Sequence, residues 1–234
     1  MKLAVFSDIH GNIYAFKKAL DQMRKIGVDE YIFCGDAVGY YYHSNEVIEA
    51  LRGLKKLHSV VGNHDLLFLD IFQGDNDVKS YIEKYGVSLS NLKQSITYEN
   101  FIFLKNLVSK RSLVIDNIKI LLVHGSPWDP INEYVYPSHD FSKYRALDFD
   151  LVFQGHTHYR MKVKEGSCKI INPGSIGQPR DGKGPSFVVY DTLRKKTEFH
   201  EITYDVNKLI QEVKAIGNEP EYLTSVLKRI IYDE

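Results

Sequence analysis

Short apolar segments alternate with amphipathic stretches along this 234-residue chain, and several of these segments end directly in a residue that can bind a metal ion. Such an alternation is typical of α/β proteins, in which ligands bind beyond the carboxyl ends of the strands. Polar residues that follow different strands therefore converge on one site. The metal-capable residues in these positions are Asp8, His10, Asp36, Asn63, His64, Asp65, His124, His156 and His158.

The same pattern predicts the order of the elements. A helix is expected over 13–26, with Asn12 as its N-cap and Gly27 just past its end, and Ser44 can cap the next helix. Asp116 and Asn117, between two apolar runs, predict a tight hairpin. The predicted strands are 3–7, 31–34, 57–61, 112–115, 118–123, 151–154, 161–164, 169–171, 187–191 and 198–204, and the other predicted helices are 44–52, 77–85, 88–96, 99–107, 206–216 and 222–232.

The length of the chain and its 44% apolar residues fit one main domain with a sizeable core. We expect this domain to span 1–204 and to carry a helical insertion at about 66–112 and a loop insertion at about 126–150. The helices predicted for 205–234 then form an extension of the same domain.

The 30 basic and 30 acidic residues cancel, which argues against general nucleic-acid or membrane binding but leaves a local basic patch open. The N-terminal apolar run stops at Ser7 and is too short for a signal sequence, and no run approaches the ~18 residues of a membrane span. We therefore expect a cytoplasmic protein. Cys34 and Cys168 lie in apolar runs without a CxxC pattern, so we expect buried, reduced thiols.

The spacing of the polar residues favours a metal site. Asp8/His10 and His156/His158 are i,i+2 pairs, and extended backbone would point both members of a pair to the same side. Histidine nitrogen mixed with carboxylate and amide oxygen suits Mn²⁺, Fe or Zn²⁺. A single strand-end Asp or His is more often a cap, and Gly62-Asn63 alone could be a turn. Five such positions in one register are better explained by bound cations, because clustered unpaired charges are costly to bury.

In this order the motifs resemble those of the calcineurin-like metallophosphoesterases, whose pattern is D-x-H, GD, GNH plus an acid, a strand-end His, and GHxH. The resemblance spans about residues 2–191 and is complete. It implies a four-layer α/β/β/α sandwich of two mixed sheets flanked by helices, with a dinuclear metal site at the carboxyl ends of the strands. The matching residues are Asp8-Ile9-His10, Gly35-Asp36, Gly62-Asn63-His64-Asp65, His124 and Gly155-His156-Thr157-His158.

The resemblance also implies a role for each matching residue. Two divalent cations, Mn²⁺ or Fe in the first place and Zn²⁺, Ni²⁺ or Co²⁺ as further options, would activate a shared water that attacks phosphorus in line. His64 would be a catalytic cation that stabilises the transition state or protonates the leaving oxygen, with Asp65 orienting it; the alternative for His64 is a third metal ligand. The implied ligands are Asp8, His10 and His158 for one metal, Asn63, His124 and His156 for the other, and Asp36 as the bridge.

Departures from better-known branches narrow the function. Protein serine/threonine phosphatases and dinucleoside tetraphosphatases carry arginines where this chain has Tyr40 and Val61. The segments 35–40, 172–175 and 178–180 instead resemble the small prokaryotic phosphodiesterase-like branch. We expect a phosphodiesterase or phosphatase acting on a small substrate, with nucleotides among the candidates. The alternatives are a protein phosphatase or dinucleoside polyphosphate hydrolase, and a non-catalytic metal-binding scaffold like the retromer subunit of this fold.

Candidate substrate contacts come from two other features. Arg180 lies in a glycine- and proline-rich loop and could contact phosphate, or it could brace the loop. Asn12 could reach phosphate from the start of the first helix, besides capping it. Aromatic residues follow two metal motifs; over the metals they could stack on a nucleobase or aryl group, and otherwise they would pack a loop or form a homodimer contact. They are Tyr40, Tyr41, Tyr42, Trp128, Tyr134 and Tyr136.

Overall fold

The computed structural model describes residues 1–74, 78–217 and 219–229, which form ten strands and eight α-helices. The strands are β1 Lys2–Phe6, β2 Glu30–Phe33, β3 Leu57–Ser59, β4 Lys110–Ile115, β5 Ile118–Val123, β6 Leu151–Phe153, β7 Arg160–Glu165, β8 Cys168–Pro173, β9 Ser186–Asp191 and β10 Lys196–Glu201. The helices are α1 Ile13–Ile26, α2 Ser44–Arg52, α3 Asn63–Gln73, α4 Val78–Tyr85, α5 Ser88–Ser95, α6 Tyr98–Lys105, α7 Val206–Ile216 and α8 Tyr222–Ser225, with 3-10 helices at Ser142–Ala146 and Leu227–Arg229.

The strands form two mixed five-stranded sheets. The first has the order β10-β9-β1-β2-β3, with β1, β2 and β3 parallel and β9 antiparallel to both β1 and β10. The second has the order β4-β5-β6-β8-β7, with β5, β6 and β8 parallel and an antiparallel strand at each edge. The parallel strands run from the middle of the first sheet to its β3 edge and occupy the centre of the second sheet, and within each sheet their carboxyl ends lie at the same edge.

The core between the sheets follows from the alternation of side chains along the strands. In β1, Leu3 and Val5 face the second sheet and pack in one cluster with residues such as Ile120 and Leu122 of β5. Ala4 and Phe6 point the other way and belong to the cluster under the helices. The central strands are buried on both faces, which explains why they appear in the sequence as continuous apolar runs.

The outer layers differ between the two sheets. Helix α1 lays the fully buried Phe16 and Met23 against the first sheet, and the remaining helices before residue 106 extend the same cluster. The second sheet is covered by the segment after β5, through Val135, Phe141 and Tyr144. The predicted α/β/β/α arrangement is confirmed, with loop and 3-10 helix providing most of the layer over the second sheet.

Several predicted boundaries are confirmed. Helix α1 spans the predicted residues, Asn12 accepts a hydrogen bond from the Ala15 amide, and Gly27 adopts the left-handed conformation at φ 71°. The hairpin between β4 and β5 turns at Asp116 and Asn117, with φ of 50° and 60°. Positive φ at both residues is what a tight two-residue hairpin requires.

Other boundaries differ from the predictions. Ser44 is the first residue of α2 instead of its cap, and the N-cap residue His43 makes no side-chain capping bond. Helix α3 begins at Asn63, so the segment after β3 is a strand-to-helix junction and not a free-standing turn. The helix predicted over 222–232 is interrupted after Ser225. Residues 77 and 230–232 of the predicted helices lie outside the described residues.

The C-terminal helices pack against the segment that follows β2. Leu209 and Val213 of α7 and Leu223 of α8 form one buried cluster with Tyr40 and Tyr41. The Tyr41 hydroxyl, which is fully buried, donates a hydrogen bond to the Leu223 carbonyl at 3.1 Å. No helix in the described ranges is long and apolar enough to cross a membrane.

Both cysteines are buried and free, as expected. Burial raises the pKa of the Cys34 thiol well above its ordinary value. Burial also raises the pKa of Cys168, to about 11. The thiolate is the reactive form, so both side chains are expected to act as packing residues.

Replacing Ile32 by Ala tests the inter-sheet core. Ile32 is fully buried between the sheets, so we expect the free energy of unfolding to fall by about 2–5 kcal/mol. Val114→Ala is the matched control because Val114 also lies in a strand but is 70% exposed, and its effect should stay within about 0.5 kcal/mol. Urea unfolding of both variants gives the comparison; similar losses would contradict this description of the core.

Candidate active site

The structure brings the residues expected to bind metal to one end of the two sheets. They are Asp8 and His10 after β1, Asp36 after β2, Asn63 after β3, His124 after β5, and His156 and His158 after β6. Because β1, β2 and β3 are parallel to one another and β5 is parallel to β6, these positions meet at the same edge. All of these side chains except that of Asn63 are buried.

The first cluster contains Asp8, His10 and His158. His10 Nε2 lies 3.1 Å from His158 Nε2 and 3.8 Å from Asp8 Oδ1. His158 Nε2 is 3.4 Å from the same oxygen of Asp8. Ligand atoms held about 2.1 Å from one ion are about 3–3.5 Å apart, so this spacing fits a single cation.

The second cluster contains Asp36, His124 and His156, with Asn63 beside it. His124 Nε2 lies 3.3 Å from Asp36 Oδ2 and 3.0 Å from Asn63 Oδ1. One donor atom each of Asp36, His124 and His156 lies within 4.8 Å of the others. This group also fits a single cation and has the mixed nitrogen and oxygen donors of a transition-metal site.

Asp36 lies between the two clusters. Its Oδ2 atom is 3.6 Å from His10 Nε2 in the first cluster and 3.3 Å from His124 Nε2 in the second. Burial alone would raise the pKa of Asp36, but the charge and hydrogen bond of His124, together with the charges of His64 and His10, outweigh burial and hold the pKa well below its usual value. The carboxylate is therefore ionised and placed where it can serve two cations.

Backbone carbonyl groups fix the tautomers of the histidines. The Nδ1 atoms of His10, His124 and His158 lie 2.9, 2.7 and 2.6 Å from the carbonyl oxygens of residues 38, 34 and 178. A carbonyl only accepts, so Nδ1 carries a proton and Nε2 is the ring nitrogen that could bind a cation. His156 differs, because its Nε2 faces the Asn132 carbonyl at 3.1 Å and its Nδ1 is left for a cation.

The backbone at these positions is not extended, contrary to the expectation from the i,i+2 spacing. Asp8 and His10 have φ of 55° and 50°, and His156 and His158 have φ of 69° and 62°. Asp36 is also left-handed, at 64°. Left-handed residues other than glycine cost roughly 1–3 kcal/mol each and tend to occur at functional sites. The members of each pair converge because the chain coils tightly after the strand.

The protonation of the cluster fits a cation site. Burial lowers the pKa of His10 and His158 well below its ordinary value, and lowers that of His156 to about 4, so these imidazoles are neutral, as metal ligands must be. Burial raises the pKa of Asp8 to about 7. Within the described residues, Asp8 Oδ1 is buried without a hydrogen-bond partner. A bound cation would satisfy this oxygen and favour the ionised carboxylate.

His124 is the exception among the histidines. Burial favours its neutral form, but the contact with Asp36 outweighs burial and raises the pKa of His124 to about 9. The protonated His124 places positive charge next to Asp36. A divalent cation bound there would supply this charge instead.

His64 lies beside both clusters. Its ring is 5.0 Å from that of His10, 4.7 Å from that of Tyr40 and 5.3 Å from that of Tyr85, measured between ring centroids. Burial lowers the pKa of His64 to about 4. The cationic form that the family resemblance implies is therefore disfavoured by the protein alone and needs an anion nearby. One His64 nitrogen also lies within 4.8 Å of donor atoms of His10 and Asp36.

Asp65 has contacts other than the expected one with His64. Its Oδ2 accepts hydrogen bonds from the backbone amides of Asp36 and Gly62, at 2.9 and 3.0 Å. Its Oδ1 accepts from the amides of Ala37 and Val38, at 2.9 and 3.2 Å. The carboxylate thus joins the loop after β2 to the loop after β3 and positions Asp36 and Asn63.

The side chain of Asn12 forms hydrogen bonds within the protein. Its Oδ1 accepts from the Ala15 amide, and its Nδ2 donates to the Gly177 carbonyl at 2.9 Å and to the Tyr204 hydroxyl at 3.0 Å. The side chain is fully buried. These contacts confirm the capping role, and the expected substrate contact stays a prediction.

Arg180 is placed beside the cluster. Its Nη2 atom donates to the Tyr40 hydroxyl at 3.0 Å and to Gln178 Oε1 at 2.9 Å. Its guanidinium lies over the Tyr40 ring, whose centroid is 4.6 Å from that of His10. Over residues 1–74, 78–217 and 219–229, Arg180 forms no ion pair, and its Nε atom is buried without a hydrogen-bond partner.

The sequence did not reveal a further group of residues around Arg180. Gln178 holds the Arg180 guanidinium with its side chain and accepts from His158 with its backbone carbonyl. Tyr222 of α8 donates to the same Gln178 Oε1 at 3.0 Å. Gln178 belongs to a segment that the family resemblance singled out, but Tyr222 is brought in by tertiary packing and has no local sequence signal.

Residues 1–195 match the sequence model described as the calcineurin-like phosphoesterase superfamily domain. The chain belongs to this superfamily. Members of the superfamily are metal-dependent phosphoesterases, in agreement with the two groups of donor atoms at the strand ends.

Similar proteins cover nearly the whole chain. The uncharacterized protein MJ0912 of Methanocaldococcus jannaschii is 34% identical, with 94% of this chain and 95% of that protein covered. Phosphodiesterase MJ0936 of the same organism is 23% identical, covering 88% of this chain and its own full length. A metallophosphoesterase from Sphaerobacter thermophilus has a similar crystal structure, with a TM-score of 0.80, 27% identity and 98% of both chains covered.

Replacing Asp65 by Asn tests its role in joining the two loops. An amide nitrogen would then face two backbone N–H donors, so we expect the free energy of unfolding to fall by at least about 2 kcal/mol and metal retention to fall with it. Urea unfolding and elemental analysis measure the two effects. Asp21→Asn is the control, because Asp21 is 58% exposed on α1. Unchanged stability in Asp65→Asn would rule out the bracing role.

Proposed function

We propose that this protein hydrolyses phosphodiester or phosphomonoester bonds of a small substrate, with nucleotides among the candidates, at two cations that share Asp36. The observation that carries this proposal is the position of Asp36 Oδ2, at 3.6 Å from His10 Nε2 and 3.3 Å from His124 Nε2. A carboxylate shared by two groups of ligands is the feature that a dinuclear site requires and that a single metal site lacks.

The residues divide into two ligand sets. Asp8, His10 and His158 would hold one cation, and Asn63, His124 and His156 the other, with Asp36 shared. When bound, the two cations supply Lewis-acid activation of water and of the phosphate oxygens. Mn²⁺ or Fe fits the mixed donors best, and Zn²⁺, Ni²⁺ or Co²⁺ are also compatible with them. A cytoplasmic location and a homodimer stay predictions from the sequence.

Arg180 is proposed to bind the substrate phosphate. A largely buried guanidinium with only hydroxyl and amide partners is costly unless an anion completes its environment. The guanidinium lies over the ring of Tyr40. Related branches carry arginine at the position of Tyr40. The positive charge thus reaches the site from the loop after β8 instead of the loop after β2.

His64 is proposed to donate the proton to the leaving oxygen. Its ring lies beside Asp36 and His10 at the edge of the cluster, within reach of a group bound there. A phosphate anion would counter the effect of burial on the pKa of His64 and favour the protonated form. No contact in the described part of the chain favours a protein phosphatase, a dinucleoside polyphosphate hydrolase or a non-catalytic scaffold over a phosphoesterase that acts on a small substrate.

Replacing Asp36 by Asn tests the shared carboxylate. We expect hydrolysis of bis(p-nitrophenyl) phosphate to fall below detection and both cations to be weakened, because both groups of ligands lose the same charge. Elemental analysis and activity are measured on the same sample. Asp148→Asn, at a side chain that is 90% exposed, is the control for loss of a surface carboxylate. Loss of only one metal equivalent would contradict a shared ligand.

Replacing His64 by Ala separates a proton donor from a metal ligand. We expect kcat to fall about 10²–10⁴-fold while the metal content stays at the wild-type value. His124→Ala is the matched comparison and should lose metal. A His64→Ala protein that lost metal as completely as His124→Ala would show that His64 is a ligand.

A further inference from the structure

Two exposed tyrosines from the loop after β5 stand at the edge of the candidate metal site. The Tyr134 ring lies on the His156 ring, with centroids 3.9 Å apart and planes 32° apart. Tyr136 lies beside Tyr134 with its ring tilted by only 9° and its centroid 6.0 Å away. The two residues are 50% and 40% exposed. We call them the tyrosine pair.

The rings of the tyrosine pair pack against residues in or next to the candidate metal site. Tyr134 packs on the candidate ligand His156, and Tyr136 makes an edge-to-face contact at 5.4 Å with Tyr159, the residue after His158. Both rings are therefore fixed relative to the metal site and keep solvent-exposed surface. Rings held in place in this way lose little conformational entropy when a flat group binds to them.

The surroundings of His64 at the same site are also aromatic and carry positive charge. Tyr85 of α4 packs on His64 at 5.3 Å, and the ammonium group of Lys84 lies 4.9 Å from the Tyr85 ring centroid. A bound molecule would thus meet the rings of the tyrosine pair and of Tyr85, and cations near the phosphate position.

The tyrosine pair differs in its burial and contacts from the other aromatic residues that follow the metal-binding motifs. Tyr41 is fully buried and Tyr40 nearly so, in the cluster with the C-terminal helices. Trp128 turns its ring edge-on to Tyr144, at 5.0 Å, in the layer that covers the second sheet. Of these residues, Tyr134 combines exposure with a direct contact to a candidate metal ligand, and Tyr136 extends the same exposed aromatic surface.

We propose that the tyrosine pair is a binding subsite for a planar aromatic group of the substrate, a nucleobase or an aryl ring attached to the phosphate. Stacking of a base on an aromatic side chain contributes about 1–3 kcal/mol and tolerates different rings, because each ring offers a π-face. The inference rests on the proposed function, since it places the aromatic group next to a phosphate at the metals. It adds the chemical class of the substrate.

Binding of three phosphate monoesters to the Mn²⁺-loaded protein tests the subsite without requiring turnover. AMP carries a nucleobase, phenyl phosphate carries an aryl ring and glycerol 3-phosphate carries neither. We expect AMP or phenyl phosphate to bind at least about tenfold more tightly than glycerol 3-phosphate in calorimetry. Tight binding of AMP alone identifies a nucleobase subsite, and tight binding of both identifies a general aromatic one.

Tyr136→Ala is the main variant, because Tyr136 does not touch a candidate ligand. We expect it to remove most of the preference for the aromatic ligand and to change glycerol 3-phosphate binding by less than about twofold. Tyr98→Ala is the matched control, since Tyr98 is 75% exposed on α6. Tyr134→Leu keeps an apolar contact on His156 but lacks the ring, and it should reproduce the loss seen in Tyr136→Ala.

Three outcomes would overturn the subsite: no preference for the aromatic ligands in the wild type, equal losses for all three ligands in Tyr136→Ala, or conversion of a dimer to a monomer by Tyr136→Ala with ligand affinities unchanged. Hydrolysis of bis(p-nitrophenyl) phosphate on the same samples reports on the proposed function separately. If the protein prefers aromatic ligands but hydrolyses no phosphate ester with any of the metal ions, the phosphoesterase proposal is wrong and the aromatic subsite is still supported. If the protein hydrolyses phosphate esters but shows no preference for aromatic ligands, the phosphoesterase proposal is supported and the aromatic subsite is wrong.

Discussion

The contact between Asp36 and His124 joins the two sheets at their polar ends and sets the conditions for the rest of the site. Asp36 follows a strand of the first sheet and His124 follows a strand of the second, and their side chains meet at 3.3 Å in a fully buried environment. Buried carboxylates and imidazoles that face one another without enough compensating charge destabilise a fold. The apolar core between the sheets holds these groups together, and cations would relieve the cost, so metal binding and folding are expected to be coupled.

The tight loops that carry the ligands are stabilised mainly by each other. Several ligands have left-handed backbone, which costs free energy, and this cost is offset by hydrogen bonds between the loops after β1 and β2. The amides of residues 8, 9 and 10 donate to the carbonyls of residues 35 and 36 at 2.8–3.1 Å. Asp65 adds four further bonds from the loops after β2 and β3. At Gly62 the loops approach so closely that a Cβ atom would lie 2.0 Å from Asp36 Oδ1.

The sequence was sufficient for the features that depend on periodicity and order. Apolar runs predicted the central strands, and α1 with its cap at Asn12 follows from local capping chemistry. The convergence of the polar residues was also predictable, because it depends only on parallel strands ending at one edge. The backbone conformation at Asp8 and His10 was not, since left-handed φ at a residue other than glycine is imposed by neighbouring loops. The hydrogen-bond partners of Asp65 and the full burial of Asn12 also depend on tertiary packing, so they required the folded structure.

The site extends physically beyond the segment that defines the family. The superfamily match ends at residue 195, yet the hydroxyl of Tyr222 bonds to Gln178, which in turn holds both Arg180 and His158. The buried cluster of α7 and α8 with Tyr40 fixes the ring on which the Arg180 guanidinium rests. A chain cut at residue 195 would keep every candidate metal ligand but would expose this cluster and release Gln178. This packing ties residues 206–217 and 219–229 to the candidate site, because the candidate metal ligands lie within the superfamily match while the position of Arg180 depends on contacts with the C-terminal helices.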